Sequence, residues 1–211
     1  MAKLTSAVAY MHERGWAHRD IKGDNVLFDE RTGALKLIDL GFATQVWVSR
    51  KADDQTEYLY NLNYSCGGCG NQKLRRSRRL PGEERATMYQ CMDCPFAERL
   101  YAGAFGTPIH LPPEALDGIE HSALRADVYA LGVLVCVLFY GPKNIPGFEA
   151  SMSVKSMEQL RCSRRTVGIP IPVGVPGIHA EVEQLLREMT HKRPPCRPIL
   201  ATLFAASVAG H

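Results

Sequence analysis

Apolar residues recur along the chain mostly at the three- and four-residue spacing of amphipathic helices. Residues 3–14 place Leu4, Ala7, Val8 and Met11 on one face and stop at Gly15, a residue type that closes helices. Val26-Leu27-Phe28 and Leu35-Lys36-Leu37-Ile38 flank Thr32-Gly33, a strand–turn–strand pattern. The longest apolar stretch, Val128 to Tyr140, predicts a helix over 127–140, closed by Gly141-Pro142. Residues 142–179 are dense in Pro and Gly, with one short helix expected near 154–162 and an extended or turn-like run from Gly168 to Val173. Residues 180–190 put Val182, Leu185, Leu186 and Met189 on one face, and 198–208 read as a last apolar helix. No repeat with a period of about 20 to 50 residues is visible. The expected fold class is mainly α, an α+β arrangement dominated by helices.

Composition bounds this picture. A chain of 211 residues, 45% hydrophobic and 22% charged, can bury one core. A net charge of +3 is too small to argue for a nucleic-acid partner. No run of about eighteen apolar residues occurs, so no membrane span is expected. Met1-Ala2-Lys3 leads into an amphipathic segment rather than the apolar region of an export signal, so the expected location is intracellular, cytoplasmic or nuclear.

The chemistry concentrates in two stretches. Residues 18–25 read HRDIKGDN, and Asp39-Leu40-Gly41 ends the apolar run from Leu35 to Ile38. They resemble the protein-kinase signature H-R-D-L-x-x-x-N followed by D-F-G, and that resemblance implies phosphoryl transfer from magnesium-ATP, a reaction that asks a protein mainly for positioning and charge neutralisation. Further on, Gly106-Thr107-Pro108-Ile109-His110-Leu111-Pro112-Pro113-Glu114 resembles the kinase segment GTPxYxAPE, with His110 for the usual Tyr and Pro112 for the usual Ala. Asp127 opens DVYALGV, which resembles the start of the central buried helix, usually DVWSLGV. The chain thus resembles the C-terminal lobe of a eukaryotic-type Ser/Thr protein kinase over residues 1 to about 44 and about 100 to 208.

The resemblance implies roles. Asp20 accepts the proton of the attacking hydroxyl, and Lys22 supplies positive charge beside the γ-phosphate. Asn25 and Asp39 hold magnesium, and Leu27 belongs with them to the nucleotide site. Thr107 contacts Asp20 and Lys22. Glu114 pairs with a buried arginine, for which Arg197 is the candidate and Arg193 the rival. Asp127 accepts main-chain N–H groups from the His18-Arg19 turn, and His18 packs internally near Asp39. Leu40 stands where the family has Phe, with a packing role, and Trp16 is expected in the core. Cys136, on the apolar helix, is expected in the core too. His12, His121, His179, His191 and His211 have no motif partner and default to surface or helix-end positions. ATP and Mg2+ are the implied cofactors and a protein the implied substrate. The expected enzyme is a protein Ser/Thr kinase, with a catalytically silent, kinase-derived binding module as the alternative.

Two departures from the family stand out. Only seventeen residues precede His18, with no Gly-rich phosphate loop and no VAIK-like lysine. The expectation is a partial domain without its N-terminal β lobe, inactive alone, whose exposed apolar face needs that lobe or another covering partner. The second departure is the long stretch between Asp39 and Glu114, which holds Cys66-Gly67-Gly68-Cys69 and Cys91-Met92-Asp93-Cys94. Two such pairs read as a four-cysteine structural Zn2+ site, with Cys66, Cys69, Cys91 and Cys94 as ligands in a zinc-ribbon-like insert over 60–98. Disulfides or two unrelated pairs are the alternatives. Lys73 to Arg79 is a basic run that reads as a solvated loop, a nuclear import signal, or a contact for nucleic acid or an acidic substrate.

Kinases of the HRD type commonly pair that arginine, here Arg19, with a phosphorylated Ser or Thr ahead of the Gly-Thr pair. Residues 95–105 read PFAERLYAGAF, with Tyr101 as the only hydroxyl. The expectation is that zinc orders the segment in place of a phosphate, with Arg19 kept for packing or for an acidic neighbour such as Glu98.

Overall fold

The computed structural model describes residues 2–46, 57–60, 73–77, 86–91, 97–148, 154–198 and 200. Helix α1 (Ala2–Glu13) buries Leu4, Val8, Ala9 and His12, a stripe spaced by about one turn. It ends where Gly15 adopts φ 74° and its N–H meets the His12 carbonyl. Strand β1 (Trp16–Ala17) follows. Strands β2 (Val26–Asp29) and β3 (Ala34–Leu37) form an antiparallel hairpin with Val26 opposite Leu37. Its turn is held by the Asp29 carboxylate, which accepts from the Arg31 N–H and the Thr32 hydroxyl, and by Gly33 at φ 64°. Strand β4 (Thr44–Gln45) then pairs antiparallel with β1.

The next described strands, in a stretch where the sequence predicts no helix, form a sheet. Strands β5 (Glu57–Tyr60), β6 (Lys73–Ser77), β7 (Ala86–Cys91) and β8 (Ala97–Tyr101) make an antiparallel meander. Lys73–Ser77, read from sequence as a solvated loop, is an inner strand of that sheet. A short helix α2 (Pro113–Leu116) leads to strand β9 (His121–Ser122), which adds to the sheet beside β8 with Leu100 opposite Ser122. The insert is therefore joined by main-chain pairing to the start of the central helix.

That helix, α3 (Ala123–Tyr140), starts four residues before the expected Asp127, because the Ser122 side chain caps it by accepting from the Arg125 N–H. Every residue from Ala123 to Cys136 is buried. A helix apolar all round has no solvent face and becomes the axis of the core. By length and composition α3 could cross a membrane, and it is mostly buried inside this fold. Around it pack α1, β1, β9 and helix α5 (Ala180–Met189), while α2 packs on helix α4 (Val154–Thr166). Leu131, Val133 and Leu186 are each fully buried, a type of burial that contributes about 1.5–3 kcal/mol per side chain. At Gly132 a Cβ would stand 2.8 Å from Thr190 Cγ2 and 2.9 Å from Met189 Cβ, so the absent side chain lets α3 and α5 touch. The expected helix over 198–208 lies outside the described residues apart from Arg197's neighbour Pro198 and the buried Leu200.

Candidate active site

The site is built on a turn that α3 holds from below. The Asp127 carboxylate accepts from the His18 N–H at 2.7 Å and the Arg19 N–H at 2.8 Å, with His12 Nε2 3.0 Å from Oδ2. Arg19 takes up φ 67°, an uncommon value for a residue with a side chain, and these bonds hold it there. His18 is fully buried, and its Nε2 lies 3.0 Å from the Ile38 carbonyl. The Ile38 N–H in turn reaches the Asn25 carbonyl at 2.9 Å. The β2–β3 hairpin thereby sets Asn25 at one strand's start and Asp39 just past the other's end.

Asp20 is the centre of the cluster and is 4% exposed. Its Oδ1 accepts from both the N–H and the hydroxyl of Thr107 at 2.8 Å. Its Oδ2 lies 2.9 Å from Lys22 Nζ and 3.1 Å from Asn25 Nδ2. Lys22 Nζ also donates to Thr107 Oγ1 at 3.0 Å. Burial alone would raise the Asp20 pKa, but the hydrogen bonds from Lys22 and Thr107 outweigh it and hold it below the usual carboxylate range. The group is an ionised acceptor at neutral pH.

Asn25 spends its amide nitrogen on the Asp20 carbonyl at 2.8 Å and the Asp20 carboxylate, which turns its amide oxygen outward. Asp39 is exposed at φ 61°, with Oδ1 accepting from the Gly41 N–H at 3.2 Å and Oδ2 left for an ion. Oxygen donors of this kind suit magnesium, which takes one or two protein ligands and fills the rest of its shell with water and phosphate. Leu27, on the outer side of the hairpin, is 53% exposed.

The segment that brings Thr107 to Asp20 is anchored on both sides. Gly106 sits at φ 98°, and a Cβ there would lie 2.2 Å from the Arg19 carbonyl oxygen, so only glycine fits. Downstream, Glu114 Oε2 accepts from Arg197 Nη2 at 2.9 Å, and Arg197 Nε donates to the His191 carbonyl. Of the two arginines considered, Arg197 makes the pair, and it stacks 4.8 Å from the Tyr129 ring.

Several sequence readings need correction. Trp16, expected in the core, is 43% exposed, and Leu40 is 59% exposed. Together with Tyr10, Met11, Leu37 and Ile38 they line an open apolar groove of about 640 Å3. Trp16 faces out because strand neighbours alternate and Ala17 takes the inner position. His12 and His121 are buried rather than superficial. His12 continues the Leu4–Val8 stripe at four-residue spacing, a signal that places it inward. Arg164 escaped notice: it is fully buried on α4 and donates to the Ile109 carbonyl at 2.7 Å, one residue before His110. Cys66, Cys69 and Cys94 lie outside the described residues, and Cys91 ends β7 opposite Leu74. Among the described residues no three His, Cys, Asp or Glu side chains gather as a metal site.

Known proteins resemble this chain. The protein kinase domain family matches residues 1–66. Serine/threonine-protein kinase Warts of Drosophila melanogaster is 29% identical over 177 residues, covering 81% of this chain and 14% of its own length. CBL-interacting protein kinase 25 of Oryza sativa subsp. japonica is 31% identical over 149 residues, covering 71% of this chain and 20% of its own. Serine/threonine-protein kinase LATS1 of Mus musculus is 31% identical over 176 residues, 81% of this chain and 14% of its own. The chain thus spans a fifth or less of the length of these relatives. The family match, these relatives and the cluster around Asp20 together support a protein kinase domain.

Proposed function

We propose that the chain carries the catalytic loop and helical lobe of a Ser/Thr protein kinase, which transfers the γ-phosphoryl group of ATP to protein hydroxyls. The observation that carries this reading is the Asp20 carboxylate, buried, ionised, and held by Thr107, Lys22 and Asn25 at hydrogen-bond distance. A module kept only for binding has no physical need of that arrangement. In the reaction the substrate hydroxyl oxygen forms a bond to the γ-phosphorus, the bond from that phosphorus to the β-bridging oxygen breaks, and ADP leaves. Asp20 orients the hydroxyl and receives its proton, and Lys22 places positive charge beside the transferring group. Asn25 and Asp39 are the residues that would hold magnesium, which would supply charge neutralisation for the transferring phosphate. Leu27 offers an apolar surface for the nucleotide. The groove between Trp16 and Leu40 is where a second lobe, or another covering partner, would close over the site.

The insert belongs to the same proposal as a zinc-stabilised hairpin. Two features support it: the Cys-x-x-Cys spacing, and the β6–β7 register. Leu74 pairs with Cys91, and in sequence Cys69 precedes the first residue of β6 by only four positions while Cys94 follows the last residue of β7 by three.

The test is phosphate transfer from labelled ATP to a Ser/Thr peptide library by the full-length protein. Asp20→Asn is expected to remove nearly all transfer, at least about 100-fold in kcat, with unchanged circular dichroism. Undiminished transfer by the Asp20→Asn protein overturns the reading.

A further inference from the structure

Arg19 has a side chain of which the transfer chemistry makes no use. Its main chain is fixed by Asp127, and its guanidinium lies 3.9 Å from the centroid of the Phe105 ring and 4.9 Å from that of Tyr101. Both distances fall within the roughly 6 Å at which a cation is held by an aromatic face. Among the residues whose side chains are described, which do not include Glu98, no carboxylate lies within ion-pair distance of the guanidinium. Burial pulls its pKa down, while Tyr101 and Asp127 act the other way, as expected of a cation that has exchanged water for two rings.

Neither ring is loose. Tyr101 is buried, sits opposite His121 in the β8–β9 pair, and places its hydroxyl 2.7 Å from Thr44 Oγ1 and 3.2 Å from the Gln45 carbonyl. Phe105 directly precedes Gly106 and Thr107, the residues fitted against Arg19 and Asp20. The space left among Arg19, Tyr101, Phe105, His121 and Asp127 is about 20 Å3. That holds a single water at most, and no phosphate-sized anion enters it. Residues 95–105 contain no Ser or Thr, and the one hydroxyl, on Tyr101, is already engaged.

We propose that Tyr101 and Phe105 are positioning residues that hold the Arg19 guanidinium between their rings and thereby seat Thr107 on Asp20 without any added charge. The path is short: the rings fix Arg19, Arg19 and Gly106 fit against each other, and Thr107 then meets the carboxylate. The inference rests on the kinase reading for its catalytic consequence, while the clamp itself is independent of it.

The experiment uses the full-length protein with four variants, Phe105→Leu, Phe105→Trp, Tyr101→Leu and Tyr101→Phe. Two readouts are taken, transfer kinetics and amide hydrogen exchange over residues 100–107, with circular dichroism to verify folding. The leucine variants are expected to lower kcat by about tenfold or more, the scale of a desolvated cation–ring contact, with KM for ATP changed less than about twofold. Exchange over 100–107 should quicken by a similar factor in both. The aromatic variants should restore most of the rate and the protection, and phosphatase treatment of the unaltered protein should change neither. Leucine variants with unaltered exchange, or loss of activity on phosphatase treatment, overturn the proposal. If the unaltered protein transfers no phosphate, the kinase reading fails, and the exchange data alone decide the clamp.

Discussion

Glu114 and Arg197, 83 residues apart in sequence, meet as a buried ion pair that ties the loop after Thr107 to the segment that follows α5. Glu114 is 8% exposed and Arg197 2%. Charges so far from water are tolerable only together, since removing one leaves the other uncompensated. Glu114→Ala is expected to cost about 3–5 kcal/mol in urea unfolding, and Arg197→Met a comparable amount. The double variant Glu114→Leu/Arg197→Met should recover a large part of that loss. A double variant as unstable as the sum of the singles would show that the pair has other functions in the core than mutual neutralisation.

Gly106→Ala isolates the site from the fold. Its Cβ would collide with the Arg19 carbonyl at 2.2 Å and lie 3.2 Å from Asp20 Oδ1, in a backbone conformation that alanine resists. Strain of this kind costs about 1–3 kcal/mol locally. Transfer should fall at least about tenfold while global unfolding shifts by less than the Glu114 variants do. Normal kinetics in Gly106→Ala would mean the Thr107–Asp20 contact is not required.

Acid sensitivity should arise at His110. Burial, only partly offset by a bond to the Ala130 carbonyl, pushes its pKa down from 6.5 to about 4. The unfolded chain therefore takes up the proton first as pH falls. The stability tied to neutral His110 is complete above pH 6.5 and is lost progressively toward pH 4, on the order of 3 kcal/mol in all. His121, also buried and also shifted down, adds in the same direction. His110→Gln should flatten, without abolishing, the decline of melting temperature between those pH values. An unchanged slope would place the titration elsewhere.

Zinc removal tests the insert. One zinc per chain is expected in reductively purified protein, lost in Cys66→Ser and in Cys91→Ser, because a four-thiolate site tolerates no missing ligand. A strong chelator should unfold the insert and leave the helical circular dichroism largely unchanged. Elemental analysis that finds no zinc would count against the site.

Legibility in the sequence followed the range of the forces involved. The stretch from His18 to Asn25 and the hairpin after it were readable because chemistry and turn geometry act within a few residues, as at Thr32-Gly33. Helices α1 and α5 were readable from periodicity. The sheet was not, because Lys73-Leu74-Arg75-Arg76-Ser77 presents charge, and its strand character comes from pairing on both sides with β5 and β7. Trp16 was misplaced because apolarity predicts a preference for cover, while cover itself depends on what packs there. His12 and Arg164 were missed since their burial is compensated by partners, Asp127 and Ile109, that lie 115 and 55 residues away in sequence.

The Thr44–Tyr101 hydroxyl contact spans 57 residues of sequence and closes the insert at its neck. Entry and exit are thereby fixed side by side, whatever runs between them. For a loop pinned at both ends, each doubling of length costs only about 0.6 kcal/mol of closure entropy. The frame around Asp20 is in effect a socket: a shorter hairpin, a longer one or a foreign module could be grafted between Val46 and Ala97 with little effect on the turn that carries Asp20. The same neck lets the segment change in length without disturbing the arrangement around Asp20.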